Sequence, residues 1–185
     1  MLSKFHIIKA VHIIKNNGVI AYPTESVYGL GCDPLSEWAV NKILQLKHRP
    51  VEKGLIIIAA NISQLLPYID ICPQDIKEIT DYASPMTWLV NKSKLTPVWI
   101  SGEHHKVAIR ISQHPDVISL CNKLGHPIVS TSANPAKLTP ASNVIQARRY
   151  FSESIDLYLS GATGQLKKPT PITDLETRQV IRSSQ

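Results

Sequence analysis

The chain has 185 residues, 43% of them hydrophobic, and a formal net charge of +6 at pH 7. This length suits one domain, spanning residues 1–185, with a core that needs no disulfide or metal to hold it together. The longest apolar run, at residues 55–60, is far too short to cross a bilayer, and the N-terminus lacks a signal-peptide pattern, so we expect a cytoplasmic protein. Three widely spaced cysteines predict free thiols rather than a disulfide framework.

Helices and buried strands alternate in the first half of the chain. Apolar residues at helical spacing predict the helices, and short apolar runs bounded by proline or glycine predict the strands. The predicted elements are a helix over 3–17 that is capped by Gly18, a strand over 19–22, a helix over 36–46 that is capped by Ser36, and a strand over 55–59.

Strands become shorter and more frequent in the second half. The predicted elements are helices over 73–82, 115–124 and 142–151, the last capped by Ser142, and strands over 87–90, 106–111, 128–130, 155–159, 172–175 and 180–182. In the strand over 106–111, Ile109 and Ile111 face the core and Arg110 points the other way. The pattern predicts an α/β domain with a mixed sheet, followed by a mobile loop over 160–171.

Basic residues cluster along the chain, which raises the local concentration of phosphate-bearing partners but does not distinguish a nucleotide from a nucleic acid. The clusters are Lys47-His48-Arg49, His104-His105-Lys106, Arg148-Arg149 and Lys167-Lys168. Aromatic residues are few and are not interleaved with these clusters, which argues against a platform that stacks single-stranded bases.

Several familiar catalytic and nucleotide-binding motifs are absent. The sequence has no G-x-x-x-x-G-K, and Gly29-Leu30-Gly31 does not continue as a dinucleotide fingerprint. The histidines lack the spacing of zinc ligands, so we predict no metal site built from the chain alone. No serine lies in a G-x-S-x-G elbow.

Polar residues instead follow the buried strands, where ligands bind in open α/β sheets. Tyr22-Pro23-Thr24-Glu25-Ser26 follows the first strand, Ser130-Thr131-Ser132-Ala133-Asn134 follows a later one, and Lys47-His48-Arg49-Pro50 ends the second helix. Each segment taken alone is also typical of an ordinary loop or helix end.

Taken together, these segments resemble the YrdC-like family. The similarity is carried by Tyr22-Pro23-Thr24-Glu25 with Tyr28-Gly29-Leu30-Gly31, then Lys47-x-Arg49-Pro50, then Val107-Ala108-Ile109-Arg110, then Ser132-x-Asn134. The segments occur in the family's order across about residues 15 to 145, and the length is similar to that of single-domain bacterial members. The resemblance implies a twisted mixed sheet with helices around a deep, basic cavity.

The resemblance also implies an activity, which is formation of threonylcarbamoyl-AMP and pyrophosphate from ATP, L-threonine and bicarbonate. It assigns Lys47, Arg49, Ser132, Asn134, Ser142 and Arg182 to ATP, with Lys47 and Arg49 as the catalytic pair, and Thr24, Arg110 and Thr170 to threonine. A Mg²⁺ ion would neutralise the phosphates. The product would pass to a separate transferase complex that modifies the adenosine beside the tRNA anticodon, and the basic clusters predict weak binding of tRNA itself.

The C-terminal quarter departs from the family. Ala136-Lys137 stands where the family has Ser-Gly, and the usual Gly-x-x-Ser-Thr stretch survives only as Pro169-Thr170-Pro171. Two alternatives remain open at this point. One is a double-stranded RNA- or tRNA-binding module of the same fold without adenylating activity. The other is a carbamoyl-adenylating domain for another acceptor, as in hydrogenase maturation.

Overall fold

The computed structural model describes residues 1–166 and 168–183; Lys167 of the last basic cluster lies outside them. The helices of the described part are α1 (Lys4–Lys15), α2 (Glu37–Lys47), α3 (Pro73–Asp81), α4 (Val98–Ser101), α5 (Pro115–Leu124) and α6 (Val144–Phe151). Its strands are β1 (Ile20–Pro23), β2 (Tyr28–Gly31), β3 (Ile56–Ala59), β4 (Thr87–Asn91), β5 (Lys106–Ile111), β6 (Ile128–Ser132), β7 (Leu157–Tyr158), β8 (Ile172–Asp174) and β9 (Val180–Arg182). None of the helices in this part is both long and apolar enough to span a membrane.

The strands form one sheet in the order β7-β1-β2-β6-β3-β5-β4-β8-β9. The pairs β1–β7, β3–β5 and β4–β8 are parallel, and the other neighbouring pairs are antiparallel. This arrangement confirms the predicted single-domain α/β fold with a mixed sheet. The sheet centre lies at β6, β3 and β5; of the predicted site residues, Arg110 lies within β5 and Ser132 ends β6.

Both faces of the sheet are covered by apolar side chains, as the alternation of strand residues requires. Ile57 packs into the cluster on the side of α2, whereas Ile58 packs against α1 and α5 on the other side. Ile56 is on the same face as Ile58 but nearer the start of its strand, where it lines a cavity. The functional site therefore occupies the part of this face beside the α1–α5 layer.

Strand β2 and helix α4 were not predicted. Gly29 and Gly31 weaken the strand signal of β2, because glycine is unfavourable in strand interiors. The structure explains Gly31 sterically, since a Cβ there would lie 2.8 Å from the Val129 carbonyl oxygen on the neighbouring β6. Helix α4 is a single turn of four residues, too short to show a helical period.

Two predicted helix caps are wrong. Helix α1 ends at Lys15, and the left-handed residue after it is Asn17, with φ of 60°, rather than Gly18. Helix α6 is capped by Asn143, whose side chain accepts from the Gln146 N–H. Ser142 lies one residue too early for that role, and both its N–H and its hydroxyl donate to the side-chain oxygen of Gln146.

Candidate active site

A cavity of about 660 Å³ opens on the α5 face of the sheet. Six of the predicted site residues line it, namely Thr24, Arg49, Arg110, Ser132, Thr170 and Arg182. Lys53 and Lys106 also line it, and the lining contains no Asp or Glu among the described residues. The wall is therefore strongly cationic, which suits an anionic ligand.

Lys47 joins two of the predicted segments behind the cavity wall. It is the last residue of α2, and His48, with φ of 49°, ends the helix in a left-handed conformation. The Lys47 side chain is buried, and its ammonium donates to the carbonyl oxygens of Ser132 and Asn134, the latter at 2.8 Å. Burial, with a smaller contribution from the charge of Arg49, lowers the pKa of Lys47 to about 8.

The Ser132–Asn134 turn closes on itself around this ammonium. The hydroxyl of Ser132 donates to Asn134 Oδ1 at 2.6 Å, and Lys47 Nζ lies 3.4 Å from the same oxygen. Asn134 Nδ2 donates to the carbonyl oxygens of Pro135 and Leu138, at 3.1 and 2.6 Å. Asn134 therefore shapes the turn, while Ser132 contributes to the cavity wall.

Arg49 reaches the cavity from the segment that follows α2. Its Nη2 donates to the carbonyl oxygens of Gly54 and Lys53 at 2.8 and 3.1 Å, and its Nε lies 3.2 Å from the Gly54 oxygen. Burial lowers the pKa of its guanidinium from the ordinary value. A position at or just beyond a helix end predicts little structural role for Lys47 and Arg49. The structure contradicts that prediction, because both side chains hold main-chain carbonyls in place.

Arg110 occupies a second cluster of polar groups. Its Nε donates to the Thr87 hydroxyl at 3.0 Å, and that hydroxyl lies 3.0 Å from the hydroxyl of Thr170. Its Nη1 lies 3.4 Å from Glu25 Oε2. Arg110 does point to the face opposite Ile109, as predicted, but it is buried and already paired with a carboxylate of the chain.

The Thr24–Glu25 turn is held by the segment that follows β7. The Thr24 hydroxyl donates to the Val27 carbonyl at 2.7 Å. The N–H groups of Gly164 and Leu166 donate to the carbonyls of Thr24 and Glu25, at 2.8 and 3.1 Å. Gly164 is required for this approach, because a Cβ there would lie 2.7 Å from the main-chain carbonyl oxygen of Glu25. The loop predicted over 160–171 is thus hydrogen-bonded to the Thr24–Glu25 turn through Gly164 and Leu166.

The β8–β9 hairpin brings Arg182 to the cavity. Its Nη2 donates to the Thr170 carbonyl at 2.8 Å. Partial burial and the like charges of Arg110 and Arg49 lower the pKa of Arg182. Lys106 anchors the hairpin through Asp174 at 2.8 Å and Glu176 at 3.0 Å, so much of its charge is already neutralised.

Sequence reasoning missed three polar residues around Arg110. They are Glu25, Thr87 and Ser112. Glu25 belongs to a segment that we singled out, but its partner is 85 residues away, and no local pattern indicates that contact. Among residues 1–166 and 168–183, no group of three or more His, Cys, Asp or Glu is arranged to hold a metal ion.

Comparison with known proteins assigns the family. Residues 12–184 match the family model Sua5/YciO/YrdC, described as telomere recombination. The chain belongs to the Sua5/YciO/YrdC family. It is 47% identical over 179 residues to the threonylcarbamoyl-AMP synthase of Cellvibrio japonicus, covering 95% of this chain and 94% of that protein. The enzyme of the same name from Pseudomonas aeruginosa is 45% identical over 188 residues, covering 98% and 99%.

A solved member of the family supports the fold. The structure of Sua5 from P. abyssi complexed with L-threonine superposes with a TM-score of 0.88 at 28% identity. The match covers 95% of this chain and 52% of that one, so this chain spans about half the length of Sua5. The matched Sua5/YciO/YrdC domain includes all nine predicted site residues, from Thr24 to Arg182.

Proposed function

We propose that this chain is an L-threonylcarbamoyladenylate synthase, a nucleotidyltransferase that supplies threonylcarbamoyl-AMP for modification of tRNA. The observation that carries the proposal is one cationic cavity that joins two polar clusters. Arg49 and Ser132 belong to the first cluster, and Arg110 and Thr170 belong to the second. Threonylcarbamoyl-AMP synthases that align over nearly the whole chain support the same activity.

The first cluster suits the nucleotide. Phosphoryl-type transfer depends on positioning and on neutralising charge rather than on a covalent intermediate. Arg49 is a rigid guanidinium whose Nε and Nη2 hold main-chain carbonyls, so its Nη1 is the nitrogen that can donate to phosphate oxygens. Lys47 holds the Ser132–Asn134 turn in place and adds positive charge close behind the cavity wall. A Mg²⁺ ion would arrive bound to the phosphates of ATP, in keeping with its preference for phosphate and water ligands.

The second cluster suits the amino acid. Arg110 can receive the carboxylate of threonine. Thr170, which is linked to Arg110 through the Thr87 hydroxyl, and Thr24 both line the cavity and can orient a small polar substrate. The P. abyssi Sua5 structure contains L-threonine, which supports threonine as the amino-acid substrate. If Arg110 holds the carboxylate, Arg110→Ala should raise the KM for threonine more than the KM for ATP. An equal rise in both would contradict the division into two clusters.

The reaction joins the two clusters. The amino group of threonine and bicarbonate form a carbamate with loss of water, and a carbamate oxygen attacks the α-phosphorus of ATP. A new P–O bond forms, the bond to the bridging oxygen breaks, and pyrophosphate leaves with the electron pair. Arg49 and Arg182, which both line the cavity, would neutralise the leaving phosphates. We assign no general base, because the carbamate already carries a negative charge.

Omission of single substrates tests the proposal. Pyrophosphate release is measured with the purified protein, MgATP, threonine and bicarbonate, then with each component left out, and with serine in place of threonine. Release should require all three substrates and should fall markedly with serine. Equal release without threonine, or with serine, would contradict the threonine assignment. The adenylate would be consumed by a separate transferase complex acting on tRNA.

A further inference from the structure

Glu25 is the buried carboxylate that faces Arg110, and neither the family resemblance nor the proposed reaction gives it a role. It is 4% exposed and lies in the turn between β1 and β2, directly after Thr24. Its carboxylate turns away from the cavity toward the end of β5. A buried carboxylate is costly unless its charge is paired and its oxygens are hydrogen-bonded, so its surroundings need an explanation.

Both oxygens of Glu25 are engaged. Oε1 accepts from the Ser112 hydroxyl at 2.6 Å and from the Gln113 N–H at 3.1 Å. Oε2 accepts from Arg110 Nη1 at 3.4 Å. Although burial opposes its charge, Arg110 and these hydrogen bonds hold the pKa of Glu25 below its usual range. Glu25 is therefore fixed by the residues that follow β5, and it acts on a residue within β5.

The three guanidinium nitrogens of Arg110 differ in their hydrogen-bond partners. Nε is taken by Thr87 and Nη1 by Glu25, whereas Nη2 has no hydrogen-bond partner in the part of the chain that the structure describes. Arg110 as a whole lines the cavity, and no side-chain nitrogen or oxygen of the described residues is both fully buried and unpartnered. Two of the three guanidinium nitrogens are thus restrained by the protein, and the third remains for a ligand.

We propose that Glu25 is a positioning residue for Arg110: together with Thr87 it fixes the guanidinium so that Nη2 faces the cavity and receives the carboxylate of the amino-acid substrate. This inference rests on the proposed function. It explains why a carboxylate is buried beside a site for an anion. Since Glu25 faces Nη1 and not the cavity, it restrains the guanidinium without occupying the place of the substrate.

The neutral, isosteric variant Glu25→Gln tests the inference. It keeps an acceptor for Ser112 but places an amide N–H₂ or an uncharged oxygen against Arg110. The KM for threonine should rise about tenfold or more, while the KM for ATP stays within about twofold, because the lost hydrogen bond involves a charged group on the threonine side only. Lys42→Ala, which removes the ion pair with Asp156 away from the cavity, is the control and should change neither constant.

A double-mutant cycle separates positioning from general structural support. In an Arg110→Lys background, Glu25→Gln should add little to the KM for threonine, because the guanidinium that Glu25 restrains is no longer present. If Glu25→Gln does not fold, Ser112→Ala replaces it. That variant should raise the KM for threonine a few-fold and leave the KM for ATP unchanged.

Three results would overturn the inference: equal effects of Glu25→Gln on the two KM values, no effect on either, or the full effect of Glu25→Gln in the Arg110→Lys background. With Ser112→Ala in its place, an unchanged KM for threonine would overturn it. These outcomes differ from failure of the proposed function, in which the wild-type protein itself would show no threonine-dependent turnover.

Discussion

The ammonium group of Lys47 lies within the turn that carries Asn134, donating to its main-chain oxygen at 2.8 Å and lying 3.4 Å from its side-chain oxygen. The two residues are 87 positions apart; Lys47 ends α2, and Asn134 lies in the turn that follows β6. Because the ammonium also binds the Ser132 carbonyl, one buried charge holds together both segments that we assign to ATP. The shape of the nucleotide side of the cavity therefore depends on Lys47, which adds its charge to those of Arg49 and Arg182.

Replacing Lys47 should damage both stability and nucleotide binding. Lys47→Ala leaves the carbonyls of Ser132 and Asn134 without their donor, which should cost on the order of 1–3 kcal/mol in the free energy of unfolding. Urea unfolding measures this cost. Lys42→Ala, at a partly exposed ion pair, should cost at most about 1 kcal/mol. A Lys47→Ala protein as stable as the wild type would contradict a structural role for the ammonium.

The lowered pKa of Lys47, about 8, predicts a pH dependence of ATP binding. The side chain is charged below that pH and neutral above it, so the affinity for ATP should weaken as the pH rises through about 8. In the unfolded chain Lys47 keeps its proton up to the ordinary lysine pKa. The contribution of Lys47 to the free energy of unfolding should therefore rise as the pH increases from about 8 toward that ordinary value. Calorimetric titration with ATP, without threonine, measures the first trend. An affinity unchanged up to pH 10 would contradict it.

Arg49→Lys should not preserve activity. Arg49 uses Nε and Nη2 to hold the carbonyls of Gly54 and Lys53, and it has further N–H groups for phosphate. A lysine has a single nitrogen and cannot reproduce this arrangement, so adenylate formation should fall roughly a hundredfold. Arg148→Lys, at the surface beside Tyr158, is the matched control and should retain activity. Activity of Arg49→Lys within a few-fold of the wild type would refute the guanidinium requirement.

Binding of tRNA should be weak and sensitive to salt. Arg148 and Arg149 are exposed on α6, whereas Lys106 is paired with Asp174 and Glu176. Contacts to phosphate release counterions, so the affinity should fall steeply between low and physiological salt. Filter binding across a salt series measures it. Tight binding at high salt, together with no adenylate formation, would favour the RNA-binding module instead.

The sequence was sufficient to predict the elements with a clear period. Helix α2 and strand β5 agree with prediction to within a residue or two, because apolar side chains recur at their characteristic spacing. Strand β2 was missed, since Gly29 and Gly31 are there for close approach of neighbouring strands rather than for strand propensity.

Contacts between distant segments could not be predicted in the same way. The sequence indicates that Arg110 points away from the core face of β5. Arg110 is nevertheless buried, because the segments that carry Glu25, Thr87 and Thr170 meet around it in the fold. Similarly, a lysine at a helix end is normally solvated. Lys47 is buried only because the turn after β6 folds over it.

Direct detection of the product is the sharpest test of the proposed activity. The protein is incubated with MgATP, L-threonine and ¹³C-bicarbonate, and the adenylates are separated and identified by mass spectrometry. We predict an adenylate that contains both threonine and the ¹³C label, formed together with pyrophosphate and only when all three substrates are present. An adenylate without the ¹³C label, or one formed equally well without threonine, would contradict the assignment of this cavity to threonylcarbamoyl-AMP synthesis.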